Sequence, residues 1–410
     1  MIQNEKKRVM LLIVLSCVLY FTSYLTRHNY AAALVEIVQA LSIEKELASV
    51  ALTGMFITYG LGQLLSGWMG DKMHPRYVIF GGMLATSLCN LGMGFLSDIT
   101  GMTVLWCING VAQAMLWPPL VRVMAENLSG EDYRKASLWV SIAASFGSIA
   151  VYLMVPGCIT LSGWRASFFV PAVFGTLIAF LWLMLEGKCE REDKLNVVKT
   201  RSDASGSASI GKIIMISGLI PIMAAIVLQG SLRDGITTWM PTYITENYDL
   251  GTGASILTTV VLPIFSIASI SIASSLQAKV KDDLTASTIL FSVAFVSGLV
   301  LTFFGKYGAA ISVVTMMLIT GCMHGINMLL ISRLPAHFNR FGRVSTISGV
   351  LNTFTYIGSA SSAYGFAALS ERLGWGFTVG MWAVIALLGI LCCGFSIPHW
   401  RKFVAQGKEE

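Results

Sequence analysis

Twelve stretches of this chain are long enough and apolar enough to cross a lipid bilayer, and they follow one another with mostly short polar breaks. A helix needs about 20 mostly apolar residues to traverse the hydrocarbon core. Such stretches fall near 10–36, 47–69, 77–97, 99–125, 135–161, 164–186, 211–244, 252–277, 284–304, 308–332, 344–369 and 374–396. Helices are expected throughout, because a helix satisfies its own backbone hydrogen bonds in lipid. No stretch shows the ten-residue alternation of a membrane barrel. The composition agrees: 55% of residues are hydrophobic and 12% are charged, against roughly 25% charged in a soluble domain. Too few charges are present to clothe a soluble surface. The fold class expected is an all-α integral membrane protein with twelve transmembrane helices.

Charge placement tests that count. With the spans above, alternate assignment of the loops places 22 of the 28 Lys and Arg residues on one side. The other side receives only Lys45, Arg165, Lys306 and Arg372, and two arginines, Arg27 and Arg233, remain inside spans. A missing or extra span would scramble this bias, so both termini are expected in the cytoplasm of a multi-pass cell (inner) membrane protein. The formal charge of +6 forms short clusters between apolar runs, without a basic stripe or aromatic interleaving, which argues against nucleic acid as a partner. Seven of the eight cysteines lie inside apolar runs and no Cys-x-x-Cys or Cys/His ligand spacing occurs, so neither a disulfide framework, a metal site nor a cofactor is expected. Lys6, Lys7 and Arg8 before LLIVLSCVLYF have the outline of a secretory signal, and Ser16-Cys17 faintly resembles a lipoprotein cleavage site. Small-residue cleavage chemistry is otherwise poor, and the segment is expected to stay as the first span.

The one long polar segment, 188–209, is rich in charge and serine and is expected to be a cytoplasmic linker. It divides the chain into an N-terminal six-helix bundle, 1–187, and a C-terminal one, 210–397, followed by a cytoplasmic tail, 398–410. Six spans plus six is the layout of two structural repeats around a central site.

Several motifs carry a family resemblance. After the second span, GWMGDKMHPR places Gly67, Gly70, Asp71, Lys72 and Arg76 at a cytoplasmic turn. There the glycines would let two helices approach, while Asp71 and the basic residues cap and pair across the turn. This resembles the G-x-x-x-D-[RK]-x-x-x-[RK] loop of the major facilitator superfamily. The fourth span contains Asn109, Gly110, Gln113, Trp117, Pro118 and Pro119 in an N-G-x-x-Q-x-x-x-W-P-P run. The first contains Tyr24, Leu25, Arg27 and Asn29 as Y-L-x-R-x-N, and the seventh reads LRDGITTWMPTYI. These three resemble the organophosphate:phosphate antiporters, the family of the glycerol-3-phosphate and hexose-phosphate transporters. The resemblance implies two pseudo-symmetric six-helix bundles, the major facilitator fold, and matching arginines that bind a substrate phosphate. It also exposes departures. Where relatives that carry phosphate esters have Y-G-x-S-K in the second span, this chain has YGLGQ, with Gln63 in place of lysine. Aligned on Ser137 and Trp139, the family's fifth-span histidine falls at Ala143.

Arg27 and Arg233 occupy equivalent places in the first and seventh spans. Arg27 is 19 residues beyond Arg8 and Arg233 is 21 beyond Lys212, roughly 30 Å of helix in each case. Each could snorkel to the outer interface. A charged residue at a helix centre costs about 2.5–3.5 kcal/mol on insertion scales, however, and one common cause explains two such costs: an oxyanion held between two guanidinium groups. Tyr24, Gln63, Gln113, Trp117, His324 and Asn352 are the further candidate substrate ligands. Asp234, beside Arg233, and His324, in the tenth span, are candidate proton-coupling groups. Both also have a plain structural reading, Asp234 as neutraliser of an arginine on a neighbouring helix and His324 as a packing residue. Tyr59, His28, Asn29, Asn109, Trp239, Tyr243 and Asn327 are lesser candidates.

The function expected is secondary transport of small organic anions, phosphorylated metabolites exchanged for inorganic phosphate, by alternating access with Arg27 and Arg233 clamping the anion. Proton-coupled symport of a sugar acid or other carboxylate is the second transport reading. A membrane sensor that binds an anion without moving it is the third. No nucleophile and base pair or phosphate-binding glycine loop marks an enzyme or an ATP-driven pump. The partners expected are the anion, inorganic phosphate or a proton, and the bilayer, with the protein acting as a monomer.

Overall fold

The polarity of this molecule is turned inside out relative to a soluble protein. Phe95, Leu161, Met215 and Phe395 are among many large apolar side chains on the outside, while Asn29, Asn90, Asn109 and Gln113 are buried. Lipid is the solvent such a surface requires. The computed structural model describes residues 2–43, 45–189, 210–248 and 252–409; the expected linker, beyond Cys189, lies outside them.

The helices in order are α1 (Ile2–Leu41), α2 (Lys45–Lys72), α3 (Pro75–Phe95), α4 (Ile99–Ala114), α5 (Trp117–Asn127), α6 (Gly130–Ser162), α7 (Ala166–Leu185), α8 (Ile210–Ser217), α9 (Leu219–Tyr248), α10 (Thr252–Val280), α11 (Asp283–Phe304), α12 (Ala309–Asn327) and α13 (Val344–Glu409). No strand occurs among the described residues. Local chemistry sets several boundaries. Asp98 accepts the Gly101 N–H at 2.7 Å, and Asp282 accepts that of Leu284 at 3.1 Å, as N-cap residues do. The break between α4 and α5 falls at Trp117-Pro118-Pro119, because two successive prolines lack the N–H groups a continuous helix would use.

Among the described residues eleven helices, with α4 and α5 counted as one, are long and apolar enough to span a membrane. The expected eleventh span, 344–369, is helical but does not qualify by hydropathy, being rich in Ser, Thr and Gly. It opens the long α13, which breaks at Gly374 (φ 79°, ψ 167°). Gly163, between α6 and α7, has nearly the same backbone angles (φ 81°, ψ 171°). Each of these glycines is followed by tryptophan, and the interval between them, 211 residues, also separates Arg122 from Arg333. Arg122 donates to the Gly70 and Asp71 carbonyls at the end of α2; Arg333 donates to Gln277 and Ser274 near the end of α10. These matched positions are the trace of a sequence repeat. Only glycine adopts this backbone region readily, so Gly374→Ala is expected to cost about 1–3 kcal/mol. A lowered midpoint in a denaturant titration checks it.

Packing divides the chain into two compact units, residues 1–206 with 338–353, and residues 207–337 with 354–410. The stretch 338–353, within the expected C-terminal bundle 210–397, packs with the first unit. Close approach explains this. A Cβ on Gly67 would stand 2.9 Å from the Ser345 carbonyl oxygen and 3.0 Å from Thr346 Cα, and the Thr353 hydroxyl donates to the Gly60 carbonyl at 3.1 Å.

Inside the first unit a polar network ties α1, α3, α4 and α7 together. Asn29 Nδ2 donates to Asn90 Oδ1 and to the Ser167 carbonyl, both at 2.8 Å, and Asn90 Nδ2 donates to the Thr26 and Thr86 carbonyls. Thr86 pairs with Asn109, and Gln113 Nε2 reaches the Thr26 and Thr86 hydroxyls at 2.8 Å. Buried amides in lipid require such partners. Asn90→Leu should therefore destabilise the protein by about 1–3 kcal/mol, read as a lower melting temperature.

Candidate functional site

Arg27 sits on the inner face of α1 and is only 7% exposed. Its guanidinium carbon lies 4.5 Å from the ring centroid of Tyr24 and 5.0 Å from that of Tyr59 on α2, a cation–π frame made by two helices. The frame continues through rings: Tyr24 stacks on His28 at 5.0 Å and meets Tyr20 edge-on at 5.5 Å, and Tyr20 lies 4.6 Å from Trp117 at the head of α5. His28 thus shares the Tyr24 ring with Arg27, although the two residues leave the helix about 100° apart.

Gln63 is one helical turn beyond Tyr59, hence on the same face of α2. It is 0% exposed, and neither its amide nitrogen nor its amide oxygen has a hydrogen-bond partner. Leaving a buried amide unsatisfied costs on the order of 1–3 kcal/mol, which sets Gln63 apart from the buried amides of the network between helices. The Trp117 indole N–H is likewise buried without a partner. Gln113 differs, since its amide nitrogen is committed to the network between helices. Asn352 is buried in the part of α13 that packs with the first unit.

The turn after α2 is held differently from the sequence expectation. Asp71 Oδ1 accepts the Ser345 N–H at 2.9 Å and Oδ2 accepts that of Thr346 at 2.7 Å, so the carboxylate caps the first turn of α13 instead of pairing with the basic residues of its own turn. The basic residues go elsewhere. Lys72 covers the Trp68 ring at 4.6 Å and Arg76 donates to the Leu183 carbonyl at the end of α7. Gly70 makes room for Ser345, whose Cβ would stand 2.9 Å from a Cβ at that position.

In the second unit, Arg233 on α9 has an immediate partner. Its Nε donates to Asp234 Oδ1 at 2.7 Å and its Nη2 to Asp234 Oδ2 at 2.8 Å, a two-pronged pair, while Nη1 donates to Asn327 Oδ1 at 2.8 Å. Asp234 therefore neutralises its own neighbour in sequence, where the spacing pointed to an arginine on another helix. The Arg233 and Asp234 side chains are 14% and 36% exposed. Asn327 is positioned at the end of α12, where the chain passes into a π-helical turn, Met328–Arg333; such turns often mark functional sites. Half-buried His324 stands one turn before Asn327 on the same helix and lies within electrostatic reach of Asp234. Ser359 on α13, absent from the sequence-derived candidates, completes the group: its Oγ lies 2.5 Å from Asp234 Oδ2 and 3.0 Å from the Thr355 carbonyl oxygen. One serine among many in GSASSA carries no distinguishing sequence signal. Trp239 donates to the Ala363 carbonyl and Tyr243 joins Tyr248 and Ser312, which makes both structural.

A multi-pass helical bundle with apolar outer surfaces, a buried arginine in one unit and a largely buried one in the other, defines a polytopic membrane protein. The chain belongs to the Major Facilitator Superfamily, whose sequence pattern matches residues 16–363. It is similar to a probable hexose phosphate transport protein of Chlamydia trachomatis, with 23% identity over 412 residues covering 93% of this chain and 89% of the relative. It is also similar to the glycerol-3-phosphate transporter of Bacillus subtilis, 28% identical over 246 residues covering 55% of each chain. The crystal structure of FucP, a Major Facilitator Superfamily transporter in the outward conformation, matches with a TM-score of 0.76 and 13% identity over 95% of this chain and 99% of FucP. The resemblance read from the motifs is thus matched by the relatives. The likeness to FucP concerns the fold alone.

Proposed function

We propose that the protein is a secondary transporter of small organic anions, of the phosphorylated class named for its relatives, in a cell membrane with both termini cytoplasmic. Arg27 and Arg233, one from each repeated unit, are the anion ligands, and the anion moves by alternating access. The observation that carries this reading is a pair of arginines inside the spans, Arg27 7% and the Arg233 side chain 14% exposed, at nearly the same interval, 206 residues, as the other repeated positions. Guanidinium groups offer two parallel N–H donors to a phosphate or carboxylate, and neither lysine nor a neutral side chain reproduces that geometry. Gln63 supports the reading with an amide that can donate to and accept from a substrate hydroxyl or oxyanion.

Exchange for inorganic phosphate is the coupling that the family resemblance implies. The Arg233–Asp234 pair favours the second reading, coupling to protons.

Purified protein in liposomes tests the transport reading. Uptake of radiolabelled glucose 6-phosphate, glycerol 3-phosphate or D-gluconate is expected to saturate and to exceed that of empty liposomes at least tenfold. Tight binding of one of these anions without flux would make the protein a sensor and overturn it.

A further inference from the structure

We infer that Asp234 is an internal occupant of the anion site: it fills the Arg233 fork in the empty carrier, yields it to substrate, and takes up one proton when it does. The inference rests on the transport reading above and assigns its coupling.

The starting state is electrically closed. Asp234 makes both contacts with Arg233 that a substrate carboxylate or phosphate would make, at 2.7 and 2.8 Å. An incoming anion must displace it, and both cannot hold the same two N–H groups. The displaced carboxylate would then stand beside a bound anion, and like charges at such range are strongly unfavourable. A proton removes the conflict.

Its surroundings accept either protonation state. The Ser359 hydroxyl has one proton and two acceptors within reach, Asp234 Oδ2 at 2.5 Å and the Thr355 carbonyl at 3.0 Å. With Asp234 ionised, Ser359 donates to the carboxylate. With Asp234 protonated, the acid donates to Ser359 Oγ, and the serine proton turns to the Thr355 carbonyl. Asp234 Oδ2 and the Ser359 hydroxyl thus have a partner in either state. The step is Asp234–COO⁻ + H₃O⁺ → Asp234–COOH + H₂O; the proton comes from the water that reaches this partly exposed side chain, and it leaves by the reverse route when the carboxylate reclaims Arg233 and expels the anion.

The other groups around Asp234 do not serve as well. Arg233 stays charged. Asn327, from α12, does not titrate. Thr237 and Thr238 donate to the carbonyls of Arg233 and Asp234, each at 2.7 Å. His324, from α12, is the one further titratable group within electrostatic reach of Asp234 among the described residues; Asp234 itself holds the two N–H groups of the Arg233 fork, so displacement by substrate acts on Asp234 first.

The pair also changes what the empty carrier can do. Two uncompensated buried cations would impede the return of an empty carrier and enforce exchange. Arg233 and Asp234 together carry no net charge, so return without a counter-anion is permitted, and the proton gradient can drive net uptake.

The test uses proteoliposomes of wild type, Asp234→Asn, Ser359→Ala and His324→Gln, with glucose 6-phosphate and D-gluconate as the probes. For the wild type, an acid-outside pH gradient is expected to raise initial uptake at least tenfold into vesicles holding no anion. Asp234→Asn is expected to lose that response while retaining exchange of labelled for unlabelled probe at equal pH, which also shows that it is folded. Ser359→Ala removes the hydroxyl that pairs with either form of the carboxylate and is expected to weaken the response. Gradient-driven uptake by Asp234→Asn at the wild-type level, or loss of the response in His324→Gln alone, overturns the inference. Wild-type flux that ignores pH and requires an anion inside also overturns it, and leaves anion transport standing. No flux of either probe by the wild type removes the transport reading itself.

Discussion

Arg27→Lys and Arg233→Lys should each abolish measurable anion transport, with a loss of at least about 100-fold in uptake at limiting substrate. Lysine retains the charge, so a mere need for positive potential would leave transport nearly intact. What lysine lacks is the planar fork. Losing one of two charge-assisted bonds and misplacing the other costs about 3 kcal/mol, which corresponds to roughly 100-fold in affinity. The two variants should differ in stability. Arg27 is framed by Tyr24 and Tyr59, so Arg27→Lys keeps a cation over two rings. Arg233→Lys breaks a two-pronged pair and leaves Asp234 with a point-charge partner. Its melting temperature should fall further. Uptake assays paired with thermal unfolding separate the two effects.

Gly67→Val should cut transport sharply by a different route. A Cβ there would meet backbone, the Ser345 carbonyl oxygen at 2.9 Å and Thr346 Cα at 3.0 Å, so no side chain can rotate aside. The start of α13 would be pushed off α2, and Asp71 would lose the Ser345 and Thr346 N–H groups it caps. Overpacking of this kind costs about 1–3 kcal/mol. Because the strain falls on the capped turn, initial uptake is expected to drop more than tenfold while the protein still purifies as a folded species. Gly81→Val is the control, since a Cβ at Gly81 meets open space. Its uptake should match wild type; equal losses in both variants would mean that the damage comes from disturbing a helix, not from the close approach.

Particular residues show what the sequence could and could not disclose. The spans were legible because lipid imposes one length on every apolar run, and the basic residues mark one side of it. The span at 344–369 was legible by length and charge placement, although its polar composition keeps it below the hydropathy of the other eleven helices. Arg27 and Arg233 stood out because charges are rare in such runs. The partners of those residues were less accessible. Successive residues on a helix point in different directions, and the contact between Arg233 and Asp234 exists because the long arginine side chain folds back along its own helix. The bond from Thr346 to Asp71 joins positions 275 apart in sequence, and no local pattern marks it. Gln113 read as a ligand because a buried amide needs a partner; the Ser23 carbonyl and the Thr26 and Thr86 hydroxyls in the same unit supply what a substrate would have supplied. Gln63, by the same rule, was read as a ligand and remains without a protein partner.

The most direct test of the account is ligand-induced thermal stabilisation of the purified protein by a panel of glucose 6-phosphate, glycerol 3-phosphate, inorganic phosphate and D-gluconate, repeated with Arg27→Lys and Arg233→Lys. Binding to the folded state alone raises stability by about 2.7 kcal/mol at a hundredfold excess over Kd, a shift well within reach of the measurement. At least one of these anions should raise the wild-type melting temperature by several degrees, and neither variant should respond. An absence of stabilisation of the wild type by every anion in the panel, or an equal response in both lysine variants, would contradict the assignment of Arg27 and Arg233 as the anion ligands.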